Sequence, residues 1–299
     1  MKKMIEIPVR RFVLFLEFLD DFTPPSFPGN AIRGGFGSSL RRSVCASRRE
    51  RCEDCILRFN CIYSRLFESP IEGKKFAPHP FVFRYPVDEM VYRNGDVMEI
   101  ELVLIGRYIE EFPYFLHAFR EFGKSGIGKE RAKFMVKEVK SGRNLVYDGE
   151  RIFRGWQEPE DFEFVPIGGN RIRVNFLTPL RIIHEGKLVD VPEFYVFYRA
   201  LARRISLLVK FYGGKFEKKD LTEKARGVKI VKVKGGREKV KRFSSRQGRS
   251  MELHGFRGEI VYEGDLGEFM ELLRWGEILH VGKSTSFGMG RYVIEKNKI

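Results

Sequence analysis

Residues Trp275 to Arg291 read WGEILHVGKSTSFGMGR. A helical pattern, Asp265 to Trp275, runs into them with Leu266, Phe269, Met270 and Leu273 on one face, and Tyr292 to Ile294 follow as a strand. The order is helix, glycine-rich loop, Gly-x-Gly-basic, strand. Gly282, Gly288 and Gly290 let backbone N–H groups turn outward and a ligand come close. Lys283 and Arg291 add charge, and Ser284, Thr285 and Ser286 add short hydrogen bonds. The set suits a phosphate-rich partner; the plainer alternative is a glycine-rich turn before the last strand. Two nucleotide motifs are excluded. Gly282-Lys283-Ser284 looks like the end of a P-loop, but Glu277 stands where its first glycine belongs, and a helix precedes the loop instead of following it. Gly288-Met289-Gly290 opens a dinucleotide fingerprint whose third glycine position is Val293. The loop therefore points to the phosphates of a polymer.

The same order closes the first half of the chain. A helix fits Glu110 to Phe122, then comes Gly126-Ile127-Gly128-Lys129, then a strand from Lys133 to Val139. Upstream lie a strand over Ile5 to Leu19, a helix over Asn30 to Val44, and strands over Pro78 to Tyr85 and Val97 to Ile105. The helix carries Gly34, Gly35 and Gly37, read as sites of tight packing on a sheet, with close approach of the backbone to RNA as the alternative. The second half gives a strand over Arg171 to Ile183, a helix capped by Asp190 and reaching Tyr212, strands Val228–Lys234 and Arg237–Phe243 around a Gly235-Gly236 turn, and a strand over Gly255 to Tyr262. Both halves read β-α-β-β-α-β. The predicted class is α+β: two tandem ferredoxin-like domains, 1–165 and 166–299, with a Cys-rich insertion in the first.

Fifty-five Lys+Arg against 40 Asp+Glu leave the 299-residue chain at +15. From Arg203 to Arg257 there are 18 Lys/Arg and 5 Asp/Glu, so that stretch alone carries +13. Such concentration favours a polyanion. Lys232, Lys234, Arg237, Lys239 and Arg242 on the hairpin, with Arg246 and Arg249 beyond it, are the expected RNA contacts; a solvated, aggregation-resistant edge is the alternative. The chain shows no signal peptide and no membrane-length apolar run, so a cytoplasmic protein is expected. Its charged content of 32% leans towards a thermophile.

Cys45, Cys52, Cys55 and Cys61 are spaced C-x6-C-x2-C-x5-C. That suits a structural zinc, with nearby Arg48, Arg49, Arg51 and Arg58 favouring thiolates; disulfides and free thiols are the alternatives. No cofactor is expected in catalysis. Cleaving RNA without a metal needs a base, an acid and a cation on the phosphate. Of five histidines, His280 beside the glycine loop and His254 beside the basic stretch are the catalytic candidates, each with a structural alternative. His117 reads as structural, and His79 and His184 are left undecided.

Four runs carry a family resemblance. LLRWGEILHVGKSTSFGMGRYVIE (272–295) is similar to the glycine-rich loop and last strand of the CRISPR repeat-RNA processing endoribonucleases of the RAMP superfamily. FSSRQGRSMELHGFRGEIVYEGD (243–265), PGNAIRGGFGSSLRRSVC (28–45) and CEDCILRFNCIYSRLFE (52–68) also resemble that family. The resemblance implies two ferredoxin-like domains and metal-independent cleavage of precursor CRISPR RNA. Cleavage would follow 2′-OH attack, leave a 2′,3′-cyclic phosphate and release guide RNAs. It implies CRISPR repeat RNA as partner, with Gly282 to Arg291 contributing to RNA binding. Members often place a histidine on or near the first helix, and Asn30 to Val44 holds none. Tyr63 and Lys283 are supporting candidates. The alternative is a non-catalytic RAMP-type subunit of a CRISPR effector complex. A monomer or homodimer is expected.

Overall fold

The computed structural model describes residues 3–47, 51–69, 77–87, 90–164, 169–244 and 249–296. It is a mixed α/β protein with antiparallel sheets, dividing into one unit of residues 8–160 and another of 1–7 with 161–299. The opening strand β1 (Ile5–Glu6) thus belongs to the second unit, although the sequence places it at the start of a single strand through Leu19. Pro8 breaks that strand because it has no N–H to give a ladder.

The first unit runs β2 (Val9–Phe18), α1 (Gly29–Val44), β3 (Phe81–Arg84), β4 (Val97–Ile105), α2 (Phe112–Ser125), β5 (Phe134–Ser141) and β6 (Asn144–Tyr147). Its sheet order is β3-β4-β2-β5-β6, antiparallel throughout. The apolar face of β2 (Phe12, Leu14, Leu16, Phe18) is fully buried, as its alternation predicts. Phe36 of α1 lies 5.1–6.1 Å from the rings of Phe67, Phe81, Phe83, Phe115 and Phe119. Two of the three α1 glycines serve this aromatic core, while Gly34 is exposed with open space beside it. A Cβ at Gly35 would sit 1.9 Å from the Phe122 ring, and one at Gly37 would sit 2.7 Å from Phe67.

The second unit runs β7 (Arg171–Leu180), β8 (Ile183–His184), β9 (Lys187–Leu188), α3 (Phe194–Tyr212), β10 (Lys215–Phe216), α4 (Thr222–Gly227), β11 (Lys229–Ser244), β12 (Arg249–Glu263), α5 (Met270–Leu279) and β13 (Tyr292–Lys296). Its main sheet is β11-β12-β7-β13, also antiparallel. β1 pairs with β10, and the Glu271 carboxylate accepts the N–H groups of Met4 (3.1 Å) and Ile5 (2.8 Å), which ties the N-terminal strand to this unit. Tyr262 and Tyr292 are buried in its core, and their hydroxyls donate to the carbonyls of Pro192 (2.7 Å) and Leu273 (2.6 Å).

Three local expectations change. Asp190 does not cap α3: the cap position is Glu193, with no side-chain cap bond, and Asp190 instead accepts from Arg237 Nε at 2.6 Å. Gly235-Gly236 is not a turn. β11 continues through it, and Gly235 faces Gly258 of β12 with φ of +125° and +135°. A Cβ at either would lie 2.2 or 2.1 Å from the opposite strand's carbonyl oxygen, so these glycines allow the strands to cross closely. The link between β11 and β12, at 245–248, lies outside the described residues. Finally, the last helix begins with one 3-10 turn (Gly267–Phe269) and extends to Leu279.

Candidate nucleic-acid interface

The basic stretch forms a long two-stranded ribbon. β12 pairs with β7 only from Phe256 to Glu263, so Arg249–Gly255 pair in the described sheet only with the facing part of β11, where Val240 and Leu253 are buried. Strands of this kind have one-sided or no burial and can present charge on a projecting surface. Lys232, Lys234, Arg237 and Lys239 are all exposed. Among the described residues the three lysines form no ion pair, whereas Arg237 is held by Asp190. Arg246 lies outside the described residues, and so do the side chains of Arg242 and Arg249. His254 stands directly opposite Lys239, with Nε2 3.6 Å from the Glu252 carboxylate. The ribbon therefore brings together the lysines and one of the two candidate histidines.

The glycine loop is mostly turned inward. His280 ends α5 at φ +59° and is 0% exposed, so in this arrangement its ring does not face an RNA phosphate. Thr285 and Ser286 are buried as well, at 7% and 2% exposure. The backbone explains why. Val281 N–H donates to the Gly290 carbonyl (3.1 Å), and Lys283 N–H donates to that of Arg181 (2.8 Å). Gly290 N–H donates to Pro179 (3.1 Å), and Thr178 Oγ1 donates to the Gly288 carbonyl at 2.7 Å. Gly282, Gly288 and Gly290 have φ of +85°, +84° and +69°, the left-handed region that glycine tolerates. A Cβ at Gly290 would meet the Val281 oxygen at 1.9 Å. These glycines thus fold the loop onto β7, leaving Lys283 exposed and Gly282, Ser284 and Arg291 half-buried. The buried guanidinium of Arg204 donates from Nε to the Leu279 carbonyl at 2.9 Å, and burial lowers its pKa to about 10.

The four cysteines form no disulfide and line one cavity of about 530 Å³. Ser47 Oγ lies 3.9 Å from Cys45 Sγ and 3.5 Å from Cys55 Sγ. Among the described residues, no group of three or more His, Cys, Asp or Glu is placed to hold a metal ion. As arranged, the thiols share a cavity wall but are not gathered around one point. The expected thiolate bias also changes at Cys52, whose pKa burial raises, with Arg41 pulling the other way. Arg51 is paired with Glu53, and Arg58 lies over Phe59 while donating to the Glu53 carbonyl (2.9 Å). Arg48 and Arg49 lie outside the described residues. Tyr63 stacks on Phe67 at 5.1 Å, and burial raises its pKa.

The remaining histidines sort by their partners. His117 is exposed on α2. His184 Nε2 is 2.8 Å from the Tyr195 hydroxyl. His79 is held at both ring nitrogens, by Arg33 (3.1 Å) and Ser69 (3.2 Å). Those partners lie 46 and 10 residues away, so no local motif announces them. No helix among the described residues is long and apolar enough to cross a membrane.

Residues 174–292 match the family CRISPR-associated endoribonuclease Cas6, and residues 7–161 match the N-terminal domain family AF_1859_N. An uncharacterized protein of Archaeoglobus fulgidus is 27% identical over 288 residues, covering 90% of this chain and 92% of that protein. A Cas6 of Thermus thermophilus has a similar fold at 16% identity, with a TM-score of 0.55 over 97% of this chain and 99% of that one. The same Cas6 in a product complex gives a TM-score of 0.56 at 18% identity, over 96% of this chain and 100% of that one. At these identities the structural likeness is one of fold.

Proposed function

Because the chain belongs to the CRISPR repeat-RNA processing endoribonucleases of the RAMP superfamily, we propose that it cleaves precursor CRISPR RNA within the repeat. The cut is metal-independent: a 2′-oxygen attacks the adjacent phosphorus, the bond to the 5′-oxygen breaks, and a 2′,3′-cyclic phosphate and a 5′-hydroxyl result. The observation that carries this reading is the β11–β12 ribbon, which lies inside the Cas6-matching segment and presents Lys232, Lys234 and Lys239 to solvent. Phosphate contacts of this kind supply affinity and register on RNA. One of the Cas6 structures with a similar fold is a product complex, which accords with an RNA-bound role.

We read each unit as ferredoxin-like. In each main sheet the strand before the first helix sits centrally, flanked by the third and fourth strands of its βαββαβ order. The protein acts in the cytoplasm as a monomer or homodimer and takes no cofactor in catalysis. A structural zinc at Cys45, Cys52, Cys55 and Cys61 rests on their spacing and shared cavity. It predicts about one zinc per chain by elemental analysis of protein purified without chelator, and a metal-free, folded protein would remove it.

A second reading, a non-catalytic RNA-binding subunit of an effector complex, draws on the absence of histidine from α1 and the burial of His280. One assay separates the two. Labelled repeat RNA is incubated with protein in EDTA, alongside RNAs carrying a single 2′-deoxy position. A single cut abolished by one deoxy position supports the nuclease. Tight binding with no cut sinks it in favour of the subunit.

A further inference from the structure

In the first unit the run Gly126-Ile127-Gly128-Lys129 links α2 to β5, as Gly282–Arg291 links α5 to β13 in the second. The two loops are folded differently. In the second unit Thr285 and Ser286 are buried. In the first, the loop stands open, with Lys124, Lys129, Arg131 and Lys133 all exposed. Backbone bonds fix its shape. Ile127 N–H donates to the Ala132 carbonyl (2.8 Å), and Ala132 N–H donates to that of Ile127 (3.0 Å). Lys133 N–H donates to the Asp20 carboxylate at 2.9 Å. Gly126 has φ +78°, and a Cβ there would lie 2.1 Å from the Arg131 carbonyl oxygen. Arg131 itself is held at φ +55°, a conformation that costs any residue with a Cβ.

One face of α1 lies across from this loop. Gly35, Ser38, Ser39 and Arg42 recur at the i, i+3, i+4, i+7 spacing that puts them on that face. Arg42 Nη2 donates to the hydroxyls of Ser39 (2.9 Å) and Ser125 (2.8 Å), which carries the guanidinium from α1 to the end of α2. Helix face and loop enclose a cleft of about 470 Å³, lined by Arg42, Lys124, Arg131 and Lys133 with the hydroxyls of Ser38 and Ser125. No carboxylate is among the described residues that line it. Glu121 beside it is bonded to Lys124 (2.6 Å), and Glu130 stands near Gly128, where a Cβ would lie 3.3 Å from its Oε2. Arg131 and Lys133 form no ion pair among the described residues. Cations gathered in this way repel one another until an anion joins them. We propose that the cleft is a second phosphate site, in which Arg42, Arg131 and Lys133 hold the backbone of an RNA strand and Ser38 donates to a phosphate oxygen. The site rests on the RNA partner proposed above and does not depend on cleavage. Its one aromatic lining residue, Phe122, is buried, so the cleft offers a base no ring to stack on and reads the backbone.

The test is anisotropy with labelled single-stranded repeat RNA from about 50 to 200 mM salt, with thermal midpoints taken on the same preparations. Each single-strand phosphate contact adds about 0.7 to the slope of affinity loss against log salt. Arg42→Gln, Arg131→Gln and Lys133→Gln combined should lower the slope by about 0.7 if the three share one phosphate and by about 2 if each holds its own. Wild-type affinity should then fall about 3- to 20-fold further than the variant's over that range. Should loss of the Arg42 tie unfold the triple variant, Arg131→Gln with Lys133→Gln keeps the tie and should lower the slope by about 0.7–1.4. The charge-matched comparison is Arg93→Gln with Lys137→Gln, two exposed cations of the same unit bonded to Asp21 and Glu17, whose slope should match wild type. An equal loss in that comparison would reduce the effect to net charge and overturn the site. Parallel slopes for wild type and the cleft variants would overturn it too, leaving the function proposed above intact. Saturable AMP binding that the cleft variants lose, with parallel RNA slopes, would give the cleft to a free nucleotide instead. If wild type binds no repeat RNA at any salt, the site and that function fall together.

Discussion

Removing Lys232, Lys234 and Lys239 together, each to Ala, tests whether the β11–β12 ribbon lies on RNA phosphates. All three are exposed and make no ion pair among the described residues, so their charges are available to a polyanion. Each phosphate contact adds about 0.7 (single strand) to 0.9 (duplex) to the slope of affinity loss against log salt. Three lost contacts lower that slope by about 2–3. From about 50 to 200 mM salt, wild-type affinity should fall about 20–40-fold further than the variant's. Fluorescence anisotropy with labelled repeat RNA across that range reads both slopes. Arg237→Ala serves as the internal comparison. Its guanidinium is already bonded to Asp190, so it should change the slope by less than one lysine does. Exposed Lys→Ala changes leave the core untouched, so the thermal midpoint should stay near wild type. Parallel slopes for wild type and the triple variant would refute phosphate contact by these lysines, whatever happened to affinity at one salt concentration.

Two further predictions concern the fold. Gly290→Ala forces a Cβ to within 1.9 Å of the Val281 oxygen at φ +69°. It should cost about 3 kcal/mol or more, combining left-handed strain with a disturbed loop ladder, and lower the melting midpoint by about 6–12 °C. Gly34→Ala, on the exposed face of α1 with open space, should instead stabilise by about 0.5–1 kcal/mol; equal midpoints for the two variants would contradict both accounts. Burial holds the Tyr262 and Tyr292 hydroxyls well above the ordinary range. Unfolded tyrosines lose their protons near about pH 10, so above that pH the folded state binds more protons than the unfolded one and stability falls as pH rises. In an alkaline titration followed by phenolate absorbance, two of the 11 tyrosines should ionise only together with loss of fold.

Periodicity made most elements readable. β4 falls on Val97–Ile105 as its alternation predicts, and α1 follows Ile32, Phe36 and Leu40, all fully buried. Gly35 and Gly37 are packing sites, though against the rings of Phe122 and Phe67 rather than a sheet, while Gly34 faces open space. What failed depended on distant partners. A Gly-Gly pair between apolar runs looks like a hairpin turn locally, but at Gly235 the facing Gly258, 23 residues on, makes it a close crossing within a continuous strand. Asp190 has the chemistry of a helix cap and is instead recruited by Arg237 across 47 residues. Ile5 and Glu6 leave their sequence neighbours for β10 because Pro8 interrupts one ladder and Glu271 supplies acceptors to Met4 and Ile5. The candidate site divides in the same way. The charge of the ribbon is legible from composition, since exposed lysines need no partner. The glycine loop shows its bends but not their direction, which β7 carbonyls and Thr178 decide. His280 looked available beside that loop and is packed beneath it, whereas His79 acquired its two partners only through folding.

The measurement closest to the central claim is the chemistry of the RNA ends made in EDTA. Wild-type protein would be incubated with its own repeat RNA under excess chelator, and the fragments weighed by mass spectrometry. The account predicts one upstream fragment ending in a 2′,3′-cyclic phosphate and one downstream fragment starting with a 5′-hydroxyl. Fragments that appear only when a divalent metal is restored, or that carry a 5′-phosphate, would contradict it.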